Sequence, residues 1–263
     1  MEWIADRDGW RSRSSDRRAM RKRGILRDLG ADPGEARARA GRETRRRLRL
    51  LNAIAATSFL IGGSLFAIGA ALSQGEIGGP LLAASVYLVG GVFFSTGGFV
   101  SVLQVVNAPR EGVDGSFAAG RWRWWAAEWG RLEWMAAAVL FLGTLVFAVN
   151  LVDSFISELD PRQFDRLVWS PDMIGCALFL ISGSLSFMEL TGSWYWGWRP
   201  RDLGWWIVAV NQVGSVLFMV SAVATFVHSD GEMISAGIAN WGTFTGALCF
   251  AIGGLLQEFE RPE

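Results

Sequence analysis

The sequence predicts an all-α fold: a polytopic transmembrane helical bundle, six spans as three hairpins, with both termini cytoplasmic. Three observations lead there. Six apolar runs, near residues 50–73, 80–106, 132–152, 173–190, 205–227 and 236–257, carry almost no charge. Each reaches or approaches the roughly twenty residues a helix needs to cross about 30 Å of hydrocarbon. When alternate loops are assigned to opposite faces, all of the 25 Lys and Arg except Arg162 and Arg166 fall on the face of the N-terminus, the asymmetry expected of cytoplasmic loops. Finally, a Gly-x-x-x-Phe pattern recurs in every run.

Composition agrees with this class. Hydrophobic residues make up 51% of the chain, with 32 Gly and 14 Trp, both enriched in membrane helices and at their interfaces. The formal charge of zero conceals segregation, because residues 1–49 carry 15 Arg and Lys22 against 8 acids. Lys22 is the single lysine among 25 basic residues, a bias that suggests a GC-rich bacterial coding sequence. Cys176 and Cys249 each sit inside an apolar run, where they read as small packing residues rather than a disulfide or metal set.

Residues 1–49 form an Arg-rich cytoplasmic helical segment. Its charged region is too long for a signal peptide, and the apolar run that follows exceeds a signal core. A short basic helix is expected over Ser15–Leu29, ended by Gly30. A second helix starts at Asp32-Pro33-Gly34-Glu35, with Asp32 as cap and Glu35 completing a capping box. That helix runs into the membrane. Its arginines, among them Arg42, Arg45, Arg46 and Arg47, act as a topological stop and attract anionic lipid headgroups by about 1 kcal/mol for each nearby charge. Nucleic acid is not an expected partner.

Hairpin 1 occupies 50–106 and is followed by a Trp-rich interfacial inner loop at 107–131. There Trp122, Trp125 and Trp129 recur at helical spacing among Arg121, Arg123 and Arg131, which predicts a helix lying in the headgroups. Hairpin 2 spans 132–190, its second helix starting at the cap-proline-acid sequence Ser170-Pro171-Asp172. A second Trp-rich inner loop and hairpin 3 cover 191–257, and 258–263 form a cytoplasmic tail. The outer loops, Gln74–Gly79, Leu151–Asp172 and His228–Ser235, are short and acidic. They leave little room for an external domain.

The Gly-x-x-x-Phe pairs are Gly62 and Phe66, Gly90 and Phe94, Gly143 and Phe147, Gly183 and Phe187, Gly214 and Phe218, and Gly246 and Phe250. Spacing of four puts each pair on one helix stripe, where glycine admits a neighbouring backbone and phenylalanine fills the adjoining groove. Six occurrences in six spans point to internal repetition. Asn211-x-x-Gly214-Ser215-x-x-Phe218 followed by Asn240-x-Gly242-x-x-x-Gly246-x-x-x-Phe250-x-x-Gly253 resembles the YrhK-like domain, a two-span module of about sixty residues in bacterial membrane proteins. Weaker copies occur at Ala53–Ala70 and around Gly183-Ser184 and Phe187. The resemblance implies an array of helical hairpins in a bacterial membrane and no reaction.

No phosphate loop, paired metal ligands or nucleophile elbow is present in the sequence. No catalytic residue, cofactor or metal is therefore expected, and His228 with Asp230 and Glu232 reads as a solvated turn. Charges are absent from the span centres, with Glu133 and Glu189 at span ends. The groups near the middle are hydroxyls: Ser64, Ser95, Thr96, Thr144, Ser184, Ser215 and Thr245. The leading functional expectation is a non-enzymatic interaction or scaffold protein of the cell membrane, associating through its small-residue helix faces with a second copy or with other membrane proteins. The alternative is a channel or facilitator for a small uncharged solute, with Thr144, Ser184 and Ser215 as candidate pore-lining residues.

Overall fold

A computed structural model describes residues 42–108, 110–111, 117–118, 122–156, 159–191, 198–228 and 230–260. The expected helices at 15–29 and 32–41, the tail beyond Glu260, and Trp194, Tyr195 and Trp196 lie outside the described residues.

The long helices are α1 (Arg42–Gln74), α2 (Gly79–Val106), α3 (Leu132–Asp153), α5 (Ser170–Thr191), α6 (Leu203–Ala224) and α7 (Ala236–Glu258). Among the described residues, six helices are long and apolar enough to cross a membrane. A short helix α4 (Pro161–Phe164) and a π-helical turn (Asp165–Trp169) lead into α5, and two short antiparallel strands, β1 (Arg110–Glu111) and β2 (Phe117–Ala118), lie between α2 and α3.

Each long helix packs on its neighbour in sequence, and α7 returns to pack on α1, so the six close into a ring. Lipid tails are as apolar as leucine, so close packing must hold such a ring together in place of hydrophobic exclusion. The closing contact is backbone on backbone. A Cβ on Gly63 would lie 2.7 Å from the Ala251 amide, and one on Gly254 would lie 2.8 Å from the Ala56 carbonyl. Amide bonds complete the closure: Asn52 Nδ2 donates to the Gln257 carbonyl at 3.0 Å, and Gln257 Nε2 donates back to Asn52 Oδ1 at 3.2 Å. At the opposite end Asn240 Nδ2 donates to Gln74 Oε1, again joining α7 to α1.

Two expectations change. Ser170-Pro171-Asp172 does not start the fourth span. The apolar helix runs from Pro161 to Thr191, and its true N-cap is Asp160, which forms a capping box with Gln163. A proline inside a helix lacks a donor and crowds the preceding turn. The π-helical turn just before Pro171 widens the helix, and the Ser170 amide and hydroxyl both donate to the Asp165 carbonyl.

The interfacial helix expected around Trp122–Trp129 does not form either; residues 122–128 carry no helix. The Asn107 side chain takes the backbone of Arg123 in both directions, Nδ2 to the carbonyl and Oδ1 from the amide, each at 2.7 Å. Arg123 and Arg131 reach back to the last carbonyls of α2, at Val106 and Val105, where cations complement the helix dipole. These bonds hold the segment extended across the end of α2. Trp125 and Trp129 then fold edge-on against the buried Trp134.

Candidate functional site

The hairpins share one crossing. In hairpin 1 a Cβ on Gly62 would approach the Gly90 carbonyl to 3.0 Å, and one on Gly90 the Gly62 carbonyl to 3.2 Å. Gly214 and Gly246 repeat this reciprocity in hairpin 3, at 2.9 and 3.0 Å. In hairpin 2 the partner of Gly143 is Gly175, not Gly183: Gly175 faces the Gly143 carbonyl at 3.3 Å and the Phe147 ring, while Gly143 faces Phe179.

The fourth helix therefore uses Gly175-x-x-x-Phe179, two turns earlier than the pair singled out from sequence. The cause is the early start of that span at Pro161, which moves its centre toward the N-terminus. Phe187 packs away from the crossing, with Leu190, Trp205 and Val208. Gly183 stands against the Gln212 side chain, as Gly98 stands against Phe141 and Gly254 against Leu60. Each of those glycines lies eight residues after the crossing glycine of its helix, and each neighbour lies two residues before the crossing glycine of the next hairpin. The three hairpins thus repeat around an approximate threefold axis.

Six phenylalanines meet on that axis. Phe66, Phe147 and Phe218, from the first helix of each hairpin, form one triangle with ring centroids 5.6, 6.2 and 6.3 Å apart. Phe94, Phe179 and Phe250 form a second, at 6.3, 6.0 and 5.2 Å. Each hairpin joins the triangles through its own pair: Phe66 with Phe94, Phe147 with Phe179, and Phe218 with Phe250, at 5.7, 6.0 and 5.3 Å. Aromatic contacts of this kind add about 0.5–1.5 kcal/mol each beyond burial. The void left inside the prism is about 10 Å³ and is also lined by Gly91 and Thr144. A water needs at least about 10–15 Å³ and several polar partners. The void is at the bottom of that range and its one polar side chain, Thr144, already donates to the Phe141 carbonyl, so the prism does not suit a water.

A chamber lies on each side. The one at the hairpin turns has a volume of about 210 Å³ and rests on Phe66, Phe147 and Phe218. Its polar lining repeats with the threefold: Ser73 in the last turn of α1 and the C-caps Ser154 and Thr225 of α3 and α6, and Tyr87, Asp172 and Thr243 from α2, α5 and α7. The chamber at the end of the bundle where α1 starts and α7 finishes, the terminal chamber, is smaller, about 90 Å³, and rests on Phe179 and Phe250. Ser101, Ser186 and Gln257, again equivalent positions, line it together with Glu133 and Glu189.

Of the candidate pore-lining residues, Thr144 borders the void in the prism and Ser215 lines the terminal chamber. Ser184 borders neither; its hydroxyl donates to the Leu180 carbonyl of its own helix. Thr96 and Thr245 likewise bond their own helices on exposed faces. Sequence reasoning missed Tyr87, Thr243 and the axial position of Asp172. The available signal was their common place, three residues before Gly90, Gly175 and Gly246, but it becomes visible only after the fourth helix is registered on Gly175. His228, Asp230 and Glu232 belong to the turn after α6, where the imidazole packs edge-on against Phe226 and Asp230 accepts from the Glu232 amide.

Fold and axial architecture define a multi-span integral membrane protein built from three repeating hairpins. Comparison of the chain with protein-family models, with curated proteins and with solved structures finds no match.

Proposed function

We propose that this protein is a non-enzymatic facilitator that lets a small uncharged solute cross the membrane along the threefold axis, with the six-phenylalanine prism as its gate. The observation that carries the reading is the axial order: a chamber bearing polar side chains, an aromatic constriction, a second chamber bearing polar side chains. Hydrophobic constrictions gate by excluding water, and an ion would lose its hydration there. A solute passes when rings of the prism turn aside, each ring being packed against neighbouring rings and a glycine face.

The scaffold reading ranks second. It drew on small-residue faces free to meet a partner, whereas the crossing glycines at 62, 90, 143, 214 and 246 are taken up within the chain. Within the same proposal the terminal chamber faces the cytoplasm of a bacterial plasma membrane, because basic residues gather at that end, and the Arg-rich N-terminal segment rests on anionic headgroups. Each hairpin is one copy of a repeated unit, in keeping with the YrhK-like pattern in residues 211–253.

Cysteine accessibility tests the reading. With Cys176 and Cys249 replaced, single cysteines at Asn150 and at Ser186 should react with a small charged thiol reagent, each from one side of the membrane. A cysteine at Ser184 should stay protected. Protection of both chamber positions alongside a labelled exposed control at Glu76 would refute it.

A further inference from the structure

We infer that the chamber at the hairpin turns is a binding site for small uncharged solutes rich in N–H donors, the amide class, with Asp172 as the acceptor that positions them. The inference deepens the passage reading above and rests on it.

The argument lies in where the lining protons go. A hydroxyl has one proton to donate and two lone pairs to accept with. Ser154 donates to the Leu151 carbonyl and Thr225 to the Ala222 carbonyl, both at 2.8 Å. Ser221 donates to the Ala239 carbonyl at 2.7 Å, so its 2.7 Å contact with Thr243 takes the Thr243 proton. All of these residues line the chamber, and each has only lone pairs left to offer.

Asp172 adds carboxylate oxygens, one of which accepts from the Cys176 thiol at 3.7 Å. Three serines of the terminal chamber behave alike. Ser101, Ser182 and Ser215 donate to the carbonyls of Gly97, Ala136 and Asn211, and Glu133 and Glu189 stand beside them. Among the described residues no Lys, Arg or His lines either chamber. Asn150 and Tyr87 also line the chamber at the hairpin turns and can donate, but acceptors predominate and no cation balances them, which disfavours anions. The aromatic prism between the chambers disfavours a permanent charge. The excess of acceptors favours a neutral molecule that donates, and a primary amide or a urea does so from a small volume.

The test compares two isomers, propionamide and N,N-dimethylformamide, which contain the same atoms; the first carries two N–H bonds and the second none. Full-length protein in liposomes is exposed to an osmotic gradient of each, and swelling is followed by light scattering against protein-free vesicles. Protein-dependent permeation of propionamide should exceed that of its isomer by about tenfold, the worth of a single well-placed hydrogen bond. Asp172→Asn should reduce that preference to about threefold or less, while Asp172→Glu, which keeps the acceptor, should retain most of it.

Equal protein-dependent rates for both isomers would overturn the donor selectivity and leave passage standing. An unaltered preference in Asp172→Asn would overturn the role of Asp172. Failure of both isomers to permeate faster than in protein-free vesicles, even through Phe218→Ala, would overturn the passage reading together with this inference.

Discussion

Gly214 and Gly246 meet so closely that a methyl group on either would press on the carbonyl oxygen of the other, at 2.9 and 3.0 Å. Neither obstacle can turn away, because both are backbone. Gly246→Ala is therefore expected to lower stability by about 1–3 kcal/mol, the usual cost of overpacking. Gly237→Ala, on the same helix but in open space, should be close to neutral. Thermal unfolding in detergent, read by tryptophan fluorescence, separates the two.

Phe218 touches Phe66, Phe147 and Phe250 in the prism, and its contact with Phe250 is stacked. Its removal should do two things at once. Phe218→Ala should destabilise the fold by about 3–5 kcal/mol on the scale of core truncations and raise the water and solute permeability of reconstituted vesicles. Phe187→Ala, equally buried but off the axis, should destabilise without opening a path. Equal permeability in the two variants would argue against a gate.

The Asn52–Gln257 exchange closes the ring through buried amides. Asn52→Leu leaves the Gln257 side-chain amide without that acceptor, and a buried polar group without its partner costs about 1–3 kcal/mol. Replacing both residues by Leu should recover part of the loss, since no amide is then stranded. Unfolding midpoints in a denaturing-detergent titration would show whether the double variant is the more stable.

Trp124 and Trp129 are 67% and 74% exposed at the terminal end of the bundle, whereas Trp134 and Trp205 are buried. Amphipathic indole rings favour the headgroup level. Lipids brominated close to the headgroup should therefore quench the wild-type protein more than a Trp124→Phe, Trp129→Phe variant. Lipids brominated near the chain terminus should distinguish the two far less.

Several features were legible along the chain because they are properties of single segments. Length and the absence of charge made six spans visible, and the distribution of arginine paired them into hairpins. The spacing of Gly62 and Phe66, like that of Gly246 and Phe250, was readable because both members lie on one helix stripe. The fourth helix was misregistered for a physical reason. Pro171 looks like a first-turn residue, and the sequence carries no sign that a π-helical turn will absorb it and let the helix begin ten residues earlier, at Pro161. The loop after α2 misled in a similar way: Trp122, Trp125 and Trp129 have helical spacing, but Asn107 and the carbonyls ending α2 claim Arg123 and Arg131 first.

By itself, then, the sequence determined a six-span helical membrane protein with small, phenylalanine-bearing helix faces. Only the tertiary structure decided that those faces are consumed inside one chain. It also decided that Phe66, Phe147 and Phe218 meet, although they lie tens of residues apart, and that Tyr87, Asp172 and Thr243 share a chamber above them. The physical reason is ring closure: once Gly63 and Gly254 let α7 settle on α1, the phenylalanine of every hairpin has one common direction in which to be buried, and the polar residues one turn beyond the crossing glycines are carried to the axis with it.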